Sequence, residues 1–170
     1  VGDGETYNVP VEMAETRYGI RVDEHSLHTD GAGAGEYRGG SGAVRVYRSM
    51  NENQTFTASF GRNKWPVWGA AGGKDGSVNY FQFIDADGTV SEPMGIAARR
   101  VMNTNDVVRM VTATGGGYGN PFKRPAEKVA MDVKNEYITV EQAKADYGVL
   151  VDPETFKVLG LTEERQKAEK

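Results

Sequence analysis

The stretch Thr114-Gly115-Gly116-Gly117-Tyr118-Gly119-Asn120-Pro121 places the strongest local demand on the backbone of this chain. Three successive glycines at the end of an apolar strand call for φ > 0, or for a backbone lying closely against another group where a side chain would intrude. Two chemistries fit such a run. Consecutive N–H groups can face an anion, as backbone nests do. Alternatively the run is a tight turn that tucks the strand end under the loop behind it, and glycine runs in loops more commonly serve conformation. No stretch fits G-x-G-x-x-G or the G-x-x-x-x-G-K-[ST] phosphate loop.

The remaining reactive residue types are sparse. With no cysteine, disulfides, thiol nucleophiles and cysteine-metal sites drop out together. His25 and His28 are the only histidines, and a separation of three on a strand turns them to opposite faces. A metal would then need a carboxylate such as Asp30 and ligands from elsewhere. Gly40-Ser41-Gly42 lacks the strand-turn-helix setting of a nucleophile elbow, so Ser41 reads as a turn residue. Asp85-Ala86-Asp87-Gly88 resembles part of a calcium loop. Setting Gly88 at the sixth position, however, puts Phe83 first and Met94 twelfth, and neither supplies the required oxygen. A hairpin turn is the better reading. Asn53-Gln54-Thr55 is formally a glycosylation sequon, with nothing beside it that points to secretion. Trp65, Trp68, Tyr80, Phe81 and Phe83 read as core, except that Trp65 and Trp68 flank a proline in a glycine-rich loop and suit an interface. No pair of carboxylates stands out for acid/base work.

These residues need a scaffold, and 170 residues with 38% hydrophobic content suffice for one domain with a core. The 22 glycines exceed the usual share of about 7% and are clustered, so they serve backbone geometry more than flexible linking. A net charge of -4 leaves no basic footprint for nucleic acid. There is no apolar run of membrane-spanning length and no basic-then-apolar leader, which makes a cytoplasmic location the default expectation. A start at Val1 without methionine suggests a processed chain or a fragment.

Along the chain, Asn8 to Tyr18 reads as a helix closed by Gly19. Ile20 to His28 reads as a strand, and a turn-rich connection follows through Gly42. Ala43 to Met50 is extended. Phe56, Ala58 and Phe60 alternate with Thr55, Thr57 and Ser59 as a half-buried strand. Trp65 to Gly73 is loop. Strands at Val78 to Ile84 and Val90 flank the Asp85 to Gly88 turn, and Val107 to Ala113 leads into the triple glycine. Pro125, Val129, Ala130 and Val133 share one helical face. Thr139 with Gln142 forms a capping box for a second helix ending at Gly148. Val149 to Val151 is a last strand, and the charged end from Thr162 is expected to fray. Strands first and helices last predict an α+β fold: a mainly antiparallel or mixed β-sheet domain over residues 1–151 with C-terminal helices, then a charged tail over 152–170.

Taken in order, several blocks resemble the C-terminal part of the hydantoinase B/oxoprolinase family over roughly residues 8–151. They are Asn8-Val9-Pro10-Val11-Glu12, Arg17-Tyr18, Gly31 to Gly35, Tyr37-Arg38-Gly39-Gly40-Ser41-Gly42, Trp68-Gly69 with Gly72-Gly73-Lys74, Thr114 to Pro121, and Asp146-Tyr147-Gly148-Val149. The resemblance implies an ATP-dependent system in which nucleotide is held by a hydantoinase A-type subunit, which activates an amide or carbonyl oxygen by phosphorylation. Hydrolysis of 5-oxoproline, hydantoins or lactams then follows; in related acetone and acetophenone carboxylases a ketone is carboxylated instead. B-type chains of the family are several times longer, and their metal-binding and catalytic groups lie mainly outside this part, so no catalytic residue and no metal ligand is carried over. The resemblance therefore implies a non-autonomous subunit or domain of a hetero-oligomer. ATP and a divalent metal belong to the intact complex and no cofactor to this chain. The candidate glycine-loop and interface residues are Arg38, Gly39, Gly40, Gly115, Gly116, Gly117 and Tyr118. A non-catalytic assembly module is the alternative from a different class.

Overall fold

A computed structural model describes residues 9–168. It opens with α1 (Val11–Tyr18), which follows Pro10 and stops at Gly19, where φ of 61° reverses the chain. The expected first residue of that helix, Asn8, lies outside the described residues. Six strands come next: β1 (Ile20–His28), β2 (Gly42–Ser49), β3 (Gln54–Ser59), β4 (Tyr80–Ile84), β5 (Ile96–Met102) and β6 (Val107–Val111). A 3-10 turn at Pro121–Lys123 precedes α2 (Ala126–Lys134), α3 (Val140–Tyr147), the short strands β7 (Val149–Val151) and β8 (Val158–Leu161), and α4 (Glu163–Ala168). The class is α+β with C-terminal helices, as the order of patterns predicts.

The chain divides into two compact units. The first comprises residues 9–26, Val44–Phe60 and Tyr80–Met110. It holds most of a four-stranded sheet in the order β1-β2-β6-β4 and the antiparallel pair β3-β5. Its core is aromatic. Phe81 and Phe83 are buried, Phe56 and Phe60 pack onto them, and the rings meet edge-on at centroid distances of 5.4–5.8 Å. The turn after β4 is the predicted hairpin: Asp85 N–H donates to the Thr89 carbonyl at 2.9 Å, Gly88 takes φ of 89°, and Ile84 pairs with Val90. Strand β5 has no counterpart in the pattern reading. Its register shifts between Phe56 and Ala58 of β3, Arg99 takes φ of 52°, and most of its side chains are exposed, so period-two alternation never develops.

The second unit comprises Leu27–Ala43, Gly61–Asn79 and residues 111–168. Its apolar cluster is built from Val129, Ala130 and Val133 of α2, Ala143 and Tyr147 of α3, Val149 and Val151 of β7, and Ile138 and Ala34. Of the predicted helical face, Val129, Ala130 and Val133 are buried, whereas Pro125 is exposed and precedes the helix. The capping box of α3 is complete: Thr139 Oγ1 accepts from Gln142 N–H at 3.1 Å, and the Gln142 side chain accepts from Thr139 N–H at 2.8 Å. The charged end does not fray at Thr162. Strand β8 pairs antiparallel with β7, and α4 buries Arg165, whose guanidinium donates to the Tyr147 carbonyl at 3.0 Å and the Arg124 carbonyl at 2.9 Å. Among the described residues no helix is long and apolar enough to cross a membrane.

Candidate functional site

Three stretches of the second unit, 33–40, 70–74 and 115–118, knit together through their backbones. Gly33 N–H donates to the Gly115 carbonyl at 2.9 Å, and Gly115 N–H donates to the Gly40 carbonyl at 2.8 Å. Gly117 N–H donates to the Lys74 carbonyl at 2.9 Å, while Lys74 N–H donates to the Ala34 carbonyl at 2.7 Å. Tyr118 and Tyr37 exchange both backbone bonds, at 2.9 and 3.0 Å, and on its other side Tyr118 bridges Ala70. The chain at Tyr118 thus lies between two others.

Only glycine permits this spacing. A Cβ on Gly116 would overlap the Trp68 carbonyl oxygen, one on Gly117 the Ala34 carbonyl, and one on Gly39 the Gly115 carbonyl. Gly33, Gly69 and Gly73 meet neighbouring backbone in the same way. Of the two demands the sequence allows, close approach is the one in force. Gly115, Gly116 and Gly117 have no positive φ, and the left-handed residue of the stretch is Gly119, at 77°. Residues Gly115 to Gly117 form no turn, and the N–H groups of Gly115, Gly117 and Tyr118 already donate to carbonyl oxygens, which leaves no consecutive set to face an anion.

The candidate residues accordingly gather, with different surroundings. Gly39, Gly116 and Gly117 are locked between backbones, and Gly115 stands close to the Gly40 nitrogen. Gly40 itself has open space where a Cβ would stand. Tyr118 presents an exposed ring at 6.2 Å from that of Tyr37. The Arg38 side chain reaches α2 and its flank. Its guanidinium donates to the Gly39 carbonyl at 2.9 Å, lies 4.7 Å from the centre of the Tyr137 ring, and brings Nε to 3.8 Å from Asp132 Oδ2. Asp132 is buried and accepts from Arg124 at 2.8 and 2.9 Å, while Arg124 Nη1 donates to the Glu36 carbonyl at 3.0 Å. Two guanidinium groups therefore converge on one carboxylate and tie the glycine segments to α2. Arg38 Nε and the Tyr147 hydroxyl are buried without a hydrogen-bond partner. Burial pushes the Tyr147 phenol above its ordinary pKa.

Sequence reading did not find Asp132 and Arg124 as anchors of Arg38, because their convergence depends on tertiary folding and has no local spacing to betray it. The pair Lys74–Asp146, at 2.6 Å, joins two blocks that did stand out separately. No local signal in the sequence marks Ser77 either. Its N–H donates to Thr114 Oγ1 and its hydroxyl accepts from Thr114 N–H, each at 2.9 Å, fixing the buried Thr114 at the entry to the glycine run. No three His, Asp or Glu side chains gather in metal-binding geometry among the described residues.

A sequence model of the hydantoinase B/oxoprolinase family matches residues 1–121. The putative D-/L-hydantoinase B-type subunit of Pseudomonas sp. (strain NS671) is 32% identical over 148 residues, which cover 86% of this chain and 25% of that protein. The crystal structure of the ATP-dependent caprolactamase from Pseudomonas jessenii superposes with a TM-score of 0.72 at 29% identity, covering 94% of this chain and 27% of that one. The nucleotide-free acetone carboxylase gives the same TM-score, 0.72, at 17% identity, a likeness of fold alone, over 94% of this chain and 25% of that one. The chain spans about a quarter of the length of three of the curated relatives it matches and 9% of the length of three others.

Proposed function

Because the chain belongs to the hydantoinase B/oxoprolinase family, we propose that it serves as the C-terminal domain, or a split small subunit, of the B-type component of an ATP-dependent cyclic-amide hydrolase. Its glycine assembly, with Arg38, Gly39, Gly40, Gly115, Gly116, Gly117 and Tyr118, is a rigid wall or interface within that complex. A hydantoinase A-type subunit supplies nucleotide binding, and the remainder of the B-type component supplies the reacting groups. The observation that carries this reading is the family match over residues 1–121 together with coverage of only a quarter of the relatives' length. A putative hydantoinase B-type subunit and an ATP-dependent caprolactamase are among the similar proteins, and both names describe action on cyclic amides. The acetone carboxylase likeness is of fold alone, so the amide reading is preferred over ketone carboxylation.

ATP and a divalent metal are implied for the complex, and neither the glycine run nor the described His, Asp and Glu side chains are arranged to hold them. The described His, Asp and Glu side chains form no group of three able to hold a metal, and the N–H groups of Gly115, Gly117 and Tyr118 are taken by carbonyls. No step of the reaction is therefore assigned to this chain. In a reconstitution with the A-type subunit and the rest of the B-type component, ATP turnover with hydantoin, 5-oxoproline or caprolactam should depend on adding this chain. Full turnover in its absence would refute the proposal, and turnover that requires bicarbonate and a ketone would move the assignment to a carboxylase.

A further inference from the structure

The second unit carries four large rings in the open: Tyr37, Trp65, Trp68 and Tyr118 are 63%, 79%, 67% and 58% exposed. The Tyr37 and Tyr118 rings stand with centres 6.2 Å apart and, at about 200 Å² per aromatic side chain, leave on the order of 250 Å² of neighbouring ring surface uncovered. The backbone beneath Tyr37, Trp68 and Tyr118 is fixed. Tyr37 and Tyr118 exchange both main-chain hydrogen bonds, and the Trp68 carbonyl lies where a side chain on Gly116 would stand. The Trp68 ring is held further by the Arg62 guanidinium, 5.0 Å from its centre. Rings presented on so rigid a base lose little conformational freedom when covered, which is the property of an interface anchor.

We propose that this aromatic surface is where the remaining portion of a B-type polypeptide docks; the proposal rests on the functional reading above. The relatives name the occupant: the chain matches a quarter of their length, so a polypeptide about three times as long completes each of them. Aromatic side chains are enriched in interfaces of this kind. A nucleic acid is disfavoured by the net charge of -4.

The test uses the full chain labelled with 5-fluorotryptophan, since Trp65 and Trp68 are its only tryptophans and both are exposed. The probe is the remaining three-quarters of the B-type component from the same source, produced as a separate polypeptide. Binding should shift both fluorine signals. Trp68→Ala and Tyr118→Ala should each weaken affinity at least about tenfold with little change in melting temperature. Trp68→Phe should recover most of the loss, and Ile96→Ser, an exposed position on β5 of the other unit, should have no effect. If the Tyr118 variant melts early, Trp65→Ala takes its place. Absence of any binding by the unmodified chain would defeat the functional reading and this proposal with it. Full-strength binding by the alanine variants would defeat this proposal alone. Fluorine shifts that follow protein concentration without the probe would assign the surface to self-association and overturn it as well.

Discussion

The two units of this chain bury different things. In the first, four phenylalanine rings fill the space between strands, and stability comes from apolar area removed from water. In the glycine segments of the second, backbone lies against backbone, and hydrogen bonds between main-chain groups do the joining. The second unit also has an apolar cluster under α2 and α3, but the triple glycine does not belong to it. A ring core tolerates a lost methylene by partial collapse. Packed backbones have no side chain to rearrange, so a glycine set against a carbonyl accepts no added atom. Redundancy in the first unit is thus set against steric strictness in the second.

The largest effect that would break this contrast is expected at Gly116. Valine there would drive Cβ into the Trp68 carbonyl, and the neighbour is backbone, which cannot swing aside. Gly116→Val should cost more than about 3 kcal/mol, at the upper end of what single substitutions do, measured by urea denaturation. Gly116→Ala sharpens the mechanism. The residue has no positive φ, so alanine is strained only by contact and not by its backbone angle. A loss close to that of valine supports close approach; an alanine variant as stable as the parent would show that the segments part easily.

Next in size is Phe81→Ala, which removes a fully buried ring contacted edge-on by Phe56, Phe60 and Phe83. A loss of about 3–5 kcal/mol is expected. Phe81→Leu, which keeps most of the volume, should recover over half of it in the same measurement. If leucine were as damaging as alanine, the ring core would be as strict as the glycine assembly and the contrast would fail. Smaller again is Thr139→Ala, which opens the capping box of α3 and should cost about 1 kcal/mol, read from the shift in the denaturation midpoint.

How much of this was legible beforehand depends on whether the cause is local. The capping box of α3, the left-handed glycines that close α1 and α3, and the apolar face of α2 are all written within a few neighbouring residues, and pattern reading finds them. Strand β5 escapes because a bulge with Arg99 at positive φ breaks the alternation on which strand recognition depends. Strand β8 escapes because Val158–Leu161 is only four residues long and interrupted by Gly160, and α4 because a charged, short segment looks solvated until the Tyr147 carbonyl is in place to receive Arg165. At the candidate site, the glycine blocks announce themselves by composition. Which carbonyl each faces is a tertiary fact. The same holds for Asp132, whose role toward Arg38 and Arg124 arises only when α2 is folded.

Gly40 gives the smallest expected effect and the sharpest control. It belongs to the same glycine-rich block as Gly39, accepts a hydrogen bond from Gly115 through its carbonyl, and is indistinguishable from its neighbour by composition. A Cβ on Gly39 would strike the Gly115 carbonyl, whereas one on Gly40 would meet nothing within 4 Å, and the φ of Gly40 is not positive. Alanine there restricts the unfolded chain without straining the folded one, so Gly40→Ala should leave stability unchanged or raise it by about 0.4–1 kcal/mol. Gly39→Ala, one residue away, should instead destabilise strongly in the same denaturation experiment. Equal losses at the two positions would mean that glycine is needed there for flexibility along the whole block, and the picture of individually fitted backbone contacts would have to be given up.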